Sequence, residues 1–260
     1  MTAALRLIDT GVKSARWNVA MTATLAELHA ALRISDTLRF HVYPRSVLLG
    51  RHQPLVQAVE GNFCARNNIE LARRVTGGGA VYMSPGVLAW DLVMSRRSFG
   101  ALDRASATIC AAVAGGLSRL GLVARFRPKN DIEVGGRKVS GSSGYSDGSS
   151  LIHQGTVLID VDFEEMAAAL GFPPRHLREH LATVRGTLGR TPELDEVKRA
   201  IGEGISRALG RPLVDGMISA DERAVAGRHY QELGSDSFVE SGEMGVTPPV
   251  THPAAQERHL

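Results

Sequence analysis

The stretch from residue 124 to residue 140 constrains the fold more than any other. Three short strand-like runs, 124–128, Asp131–Val134 and 137–140, follow one another across links of two residues, the second being Gly135-Gly136. Links that short join only antiparallel neighbours, because a parallel pair needs a crossover of about a dozen residues or more. Elsewhere the pattern predicts strands over 5–9, 38–43, Ser46–Leu49, 69–75, 87–94 and 156–160. Helical spacing of apolar residues predicts helices over 17–32, 62–67, 105–120, Phe163–Leu170, Leu194–Leu209 and Ala220–Leu233. Strands and helices interleave without a regular βαβ rhythm. The expectation is an α+β fold with a mixed, mostly antiparallel sheet flanked by helices. Residues 141–150 read as a Gly/Ser-rich loop. Residues 241–260, with Pro248-Pro249 and Pro253, read as a disordered tail, which leaves 1–240 as one domain.

Composition excludes several classes. Hydrophobic residues make up 43% and charged ones 22%, ordinary globular values that rule out general disorder or collagen. A net charge of +3 is too small to argue for nucleic acid without a clustered basic surface. No run of about 18 apolar residues suggests a membrane span. The start, Met-Thr-Ala-Ala-Leu-Arg-Leu-Ile-Asp, lacks the apolar core of a signal peptide, which points to the cytoplasm. Two cysteines, Cys64 and Cys110, are too few for a disulfide scaffold or an iron–sulfur cluster.

The strongest chemical signal is residues 73–82, Arg-Arg-Val-Thr-Gly-Gly-Gly-Ala-Val-Tyr. Consecutive glycines cost backbone entropy. They also let the chain approach a ligand and aim N–H groups at an anion. Arg73 and Arg74 add donors suited to carboxylate or phosphate oxygens. The run is neither of the common Gly-rich phosphate loops, and alone it is equally a flexible hairpin. A second segment, residues 129–142, places Lys138 on the return strand of the Gly-Gly hairpin, among Ser and Gly residues that leave room for a ligand. A lysine so placed can act as a fixed charge on a developing oxyanion or a phosphate. Asp131 could hold a divalent cation, and Asn130 could bond a phosphate or the metal's water. Alone, this too is an ordinary surface hairpin. The third segment, His153-Gln154-Gly155-Thr156, leads into a further strand; a single histidine there is more often structural than catalytic.

Taken in this order, the three segments resemble the lipoate–protein ligase A family, in the superfamily that also holds biotin ligases and octanoyltransferases. Arg73 to Tyr82 meets the family's Arg-Arg, two residues, three glycines, small residue, Val and aromatic. Asn130 to Ser143 meets its Asn-Asp, Gly turn and Lys-Val-Ser-Gly run. The His-Gly-Thr strand is met loosely at 153–156. Trp17-Asn18-Val19-Ala20, Leu49-Gly50-Arg51-His52-Gln53 and Thr183-Val184-Arg185 match further family segments.

The resemblance implies a core related to class II tRNA synthetases and biotin ligases. It implies joining of lipoate or octanoate to the α-phosphate of ATP, with Mg²⁺, and transfer of the acyl group to a lysine of a lipoyl domain or H-like protein. Lys138 would be the catalytic residue. Arg74, Gly79, Ala80, Val81 and Tyr82 would hold the nucleotide and acyl-adenylate. Asn130 and Asp131 would lie near the phosphates, with Asp131 also toward Mg²⁺. Arg73, Gly77, Gly78, Ser140, Gly141, Ser142, His153, Gly155 and Thr156 would contact substrate. Val81 or Trp90 would line an apolar tunnel for the acyl chain.

The chain departs from the family after Tyr82, where Met83-Ser84-Pro85-Gly86 replaces the usual His-Asp and Gly-Asn. No stretch reads as the small C-terminal accessory domain of many such ligases, so a separate accessory subunit is an expected partner. Three other readings stay open: an octanoyltransferase drawing on an acyl-carrier protein through a cysteine thioester, a biotin ligase, and a non-catalytic subunit.

Overall fold

The computed structural model describes residues 3–99, 102–146 and 149–243. The first half runs β1 (Leu5–Val12), α1 (Ala15–Ala30), β2 (Thr37–Val42), β3 (Ser46–Leu49), the short α2 (Leu55–Ala58) and α3 (Gly61–Arg66), β4 (Glu70–Arg73), β5 (Val81–Met83) and β6 (Val87–Ser95). Then come α4 (Leu102–Ser118), β7 (Ala124–Arg127), β8 (Asp131–Val134), β9 (Arg137–Ser146) and β10 (Ser150–Leu158). The last part is α5 (Phe163–Leu170), α6 (Pro174–His180), α7 (Val184–Leu188), α8 (Leu194–Leu209), β11 (Leu213–Asp215), α9 (Ala220–Leu233) and α10 (Asp236–Ser241).

Eight strands form one sheet in the order β11-β1-β2-β6-β10-β9-β8-β7, parallel only where β1 meets β11 and β2. A small sheet, β4-β3-β5, stands beside it. This is the mixed, mostly antiparallel α+β architecture expected. The ribbon β7-β8-β9 sits where the two-residue links require. Local signals set the helix ends. Asp162 caps α5 by accepting from the amides of Glu164 and Glu165, and Ser219 with Glu222 closes a capping box on α9.

Each strand of the large sheet sends alternate residues to opposite faces. Leu38, Phe40, Leu88, Trp90, Leu92 and Val157 enter a closed apolar core with α4 and α8. On the other face α1 packs against β6 and β10, and the small sheet, α5 and α6 enclose a second apolar cluster. That second face is incompletely filled, and the site lies there.

Three expectations change. Residues 141–146, read as part of a Gly/Ser loop, are strand, because small residues here pair with β10 and leave open the space above the sheet. The strand expected over 156–160 begins at Ser150, its β-branched half being only the latter part. The short β11, α6 and α10 carry too little periodicity to be read from sequence. Of the expected tail, 241–243 are described and end α10; residues 244–260 lie outside the described part.

Candidate active site

A cavity of about 320 Å³ opens between the second face of the large sheet and the small sheet. That is within the range of small-molecule sites. Its rim is built from both sequence segments that carry chemistry. Arg74, Gly77, Gly78, Gly79, Ala80, Val81 and Tyr82 line one side; Asn130, Lys138, Gly141 and Ser142 line the other, with Gly155 and Thr156 from β10.

A bulge places Lys138. Ser140 pairs with Ile132 and Lys138 with Glu133, so Val139 is an extra residue on β9. In a regular strand, residues 138 and 141 would face opposite sides. The extra residue lets Val139 drop into the core while Lys138 and Gly141 both face the cavity. A Cβ on Gly141 would lie 2.6 Å from Lys138 Nζ, so the glycine makes room for the ammonium. Lys138 Nζ sits 2.7 Å from Asp131 Oδ1, and Arg127 holds Oδ2 at 2.8 Å. Burial alone would raise the Asp131 pKa, but the bonds from Arg127 and Lys138 outweigh it and hold the carboxyl below its ordinary value. Asn130 Nδ2 donates to the Ser142 carbonyl, and Ser142 Oγ donates back to the Asn130 carbonyl at 2.9 Å.

The glycine loop is folded by Arg74. Its guanidinium donates to the carbonyls of Leu48 (2.6 Å), Gly77 (3.1 Å) and Gly79 (2.9 Å), and burial lowers its pKa to about 10. With those carbonyls turned inward, the amides of Gly77, Gly78 and Gly79 have no hydrogen-bond acceptor among the described residues. They are free to take an anionic oxygen. Tyr82 is buried, and its hydroxyl donates to Glu165 on α5.

Other expected site residues lie elsewhere. Arg73 does not line the cavity. Its buried guanidinium donates to the carbonyls of Gly50, Gln53, Phe238, Val239 and Glu240, tying α10 to β4. Adjacent strand residues point apart, so Arg73 and Arg74 cannot both face the ligand. Ser140 is buried outside the cavity lining. His153 is on the closed face, stacked on Trp90 at 5.7 Å and 3.1 Å from Ser142 Oγ; burial pushes its pKa down to about 4. Trp90 is buried with it and lines no tunnel, whereas Val81 does line the cavity. Cys110 lies behind Ser142, Sγ to Oγ 3.2 Å, and burial raises its pKa.

Residues that sequence reading missed complete the cavity. His41, Ala89, Asp91, Gln154 and Leu158 come from the large sheet, Tyr43 follows β2, and Met166, Leu170, Leu177 and Leu181 form an apolar wall. Asp91 forms a buried pair with Arg39 at 2.6 Å. Burial raises its pKa despite Arg39 and Thr22, and burial with the Arg39 charge pushes His41 well below its ordinary value. Strand alternation could have grouped these residues on one face, but it could not show that the face is hollow.

For Mg²⁺ the fit is partial. This ion takes one or two carboxylates plus substrate phosphates, yet both oxygens of Asp131 are already paired with cations. No group of three or more His, Cys, Asp or Glu that could hold a metal occurs among the described residues. Two spacings in the chain match hydrolase motifs without their setting. His176 and His180 form an H-x-x-x-H pair at the surface of α6, away from the cavity lining. Gly144-Tyr145-Ser146-Asp147-Gly148 reads G-x-S-x-G, but Gly144, Tyr145 and Ser146 lie within the antiparallel strand β9 and not at a strand-to-helix turn; residues 147 and 148 lie outside the described part.

Comparison with known proteins shows the family and the fold. The family model of the lipoyl protein ligase A/B catalytic domain matches residues 14–206. Lipoate-protein ligase A subunit 1 of Thermoplasma acidophilum is 30% identical over 227 residues, 80% of this chain and 84% of that protein. Octanoyltransferase LipM of Kyrpidia tusciae is 27% identical over 256 residues, 85% of this chain and 93% of that protein. The crystal structure of lipoate-protein ligase A bound with ATP superposes with a TM-score of 0.83 at 26% identity, covering 94% of this chain and all of that one.

Proposed function

This chain belongs to the lipoyl protein ligase A/B catalytic-domain family, and from that membership we propose that it is an ATP-dependent lipoate–protein ligase of the cytoplasm, with its catalytic domain over residues 1–240. The observation that carries the reading is one cavity shared by a fixed lysine and a loop of unpaired amides. A ligase needs that pairing, because it must hold a polyphosphate and an acyl carboxylate against each other.

The lipoate or octanoate carboxylate attacks the α-phosphorus, and the bond to pyrophosphate breaks. The amides of Gly77, Gly78 and Gly79 take phosphate oxygens, and Arg74 keeps the loop in shape to do so. Lys138 sits between the acyl carbonyl and the phosphate, neutralising charge that grows on both. Mg²⁺, carried mainly by the triphosphate, supplies further neutralisation when bound. In the second half-reaction the acceptor lysine's amine attacks the acyl carbon, the bond to AMP breaks, and the amine loses a proton to solvent. Lys138 again faces the oxygen that becomes negative. Asn130 and Asp131 position Ser142 and Lys138. His153 supports Ser142 from behind, so its role and that of Arg73 are positioning ones. Thr156 and Gly155 floor the site. The acceptor is a lipoyl domain or H-like protein, and a separate accessory chain is the proposed partner for the first step.

The LipM relatives favour one other reading, acyl transfer through a cysteine thioester. Cys110 is the cysteine beside the site, but it is fully buried, and burial raises its pKa where a nucleophile needs it lowered. The test mixes purified protein with ATP, Mg²⁺, lipoate and a lipoyl domain and reads intact mass. One lipoyl group added to the acceptor only when ATP is present supports the ligase, and Cys110→Ser should leave that gain within about twofold. If acyl transfer needs an acylated carrier protein instead of ATP and stops in Cys110→Ser, the transferase reading replaces it. If preformed lipoyl-AMP is needed, adenylation belongs to a partner chain.

A further inference from the structure

Building on the ligase reading, we infer that the inner end of the acyl pocket is a polar stop. It selects an acid whose far end carries a hydrogen-bonding or polarisable heteroatom, and it disfavours a plain alkyl end.

The strand registers lay out the path. Thr156 Oγ1 lies 3.5 Å from the Gly141 carbonyl, Thr156 pairs with Ala89, and Ala89 pairs with His41. All four residues line the cavity. From Lys138 the row therefore crosses small side chains on β9, β10 and β6 and ends at His41 on β2. Three strand spacings of about 4.8 Å make this trough about 14 Å long, enough for an extended eight-carbon acid with its carboxyl at Lys138.

The next row is Ser143, Gln154, Asp91 and Arg39, paired in that order. Its Asp91 lies beside Ala89, one strand from His41, and its Gln154 beside Thr156, two strands from His41. Three polar atoms on these residues have no hydrogen-bond partner among the described residues: His41 Nδ1, Asp91 Oδ1 and Gln154 Oε1. His41 and Asp91 are each 1% exposed. Arg39 Nη2 lies 3.3 Å from His41 Nε2, and a guanidinium only donates, so Nε2 accepts and the ring proton sits on Nδ1. The end of the trough thus has an unpaired donor at His41 Nδ1 and, one strand back, an unpaired acceptor at Asp91 Oδ1. Arg39 at 2.6 Å and Thr22 at 2.9 Å hold the other Asp91 oxygen and fix the carboxylate.

A methyl group seated there would leave these polar atoms dry and unpaired, a loss that discriminates more strongly than a change in apolar fit. Most apolar residues of the cavity, Leu48, Val81, Met83, Met166, Leu170 and Leu177, stand on the small sheet, α5 and α6 and not in the row itself.

Titration calorimetry on the full chain tests this without requiring adenylation or a partner. Lipoate, 8-hydroxyoctanoate and octanoate are the probes. Octanoate is expected to bind at least about tenfold more weakly than the other two. His41→Leu should narrow that gap to less than about threefold by improving octanoate. His41→Phe, nearer in shape to the imidazole, gives the same readout if the first variant folds poorly. Equal binding of octanoate by the wild type overturns the polar stop, as does a gap that survives both substitutions. Binding of none of the acids overturns the ligase reading as well, so the two failures differ.

Discussion

The two faces of the large sheet are built from the same strands and meet opposite ends. On β6, Leu88, Trp90, Leu92 and Met94 enter a closed core under α4 and α8, while Ala89 and Asp91 look into a cavity. The closed face contributes through apolar burial, about 25 cal/mol for each Å² removed from water. The hollow face does so only in part, through the second apolar cluster. Its far wall is held by guanidinium groups that satisfy backbone carbonyls: Arg74 folds the glycine loop, and Arg73 ties α10 across to β4. Stability on one side comes from packing. Shape on the other comes from directional bonds, and residues there are freed for chemistry.

The largest expected effect is on the hollow side. Lys138→Ala should lower lipoyl transfer at least about 100-fold, since a charge aimed at a forming oxyanion is lost. Its partly exposed pair with Asp131 contributes little to folding, so thermal melting should barely move. A parallel loss of melting temperature would mean that Lys138 holds the ribbon instead.

Arg73→Met should follow. It strands several buried carbonyls on two segments, at a cost of about 3–5 kcal/mol, read as a shift of the urea midpoint. An unchanged midpoint would show that the wall stands by packing after all.

Gly155→Ala probes the closed face. The added Cβ would fall 2.4 Å from Trp90 Cζ2, and overpacking of that kind costs about 1–3 kcal/mol. A neutral result would show that the Trp90–His153 stack has room to give.

The gentlest probe is pH. Burial holds His153 at about 4 against an ordinary 6.5, so the unfolded chain binds a proton in that window that the folded chain refuses. Stability is complete above pH 6.5 and falls toward pH 4, at up to about 1.4 kcal/mol per pH unit for each such group. His41 acts in the same direction. His153→Phe should flatten part of that slope in unfolding curves from pH 4 to pH 7, and an unaltered slope would mean that water reaches the closed face.

Much of the site was legible because its signals are local. The Gly-Gly turn, Lys138, the triple glycine and Arg74 each stand out within about ten residues, and they meet in one cavity. Arg73 misled for a reason visible only in pairing: neighbours on a strand face opposite ways, and which way is set by β3 and not by the Arg-Arg dipeptide. Trp90 and His153 misled in the same manner. Of the loop expected at 141–150, residues 141–146 are strand instead, because the neighbouring β10 supplied a pairing that Ser and Gly could not specify, while 147 and 148 lie outside the described residues.

The amino-acid sequence by itself determined the antiparallel ribbon, the main helices, the anion-suited loop and the lysine, because turn chemistry, helical spacing and backbone freedom act over a few residues. Only the tertiary structure decided which face each of those residues joined. A one-residue bulge at Val139 turned Lys138 toward the cavity, and strand register brought His41 to its far end with Asp91 one strand back. Register and bulge depend on partners dozens of residues away, and shifting either by one residue would exchange the two faces.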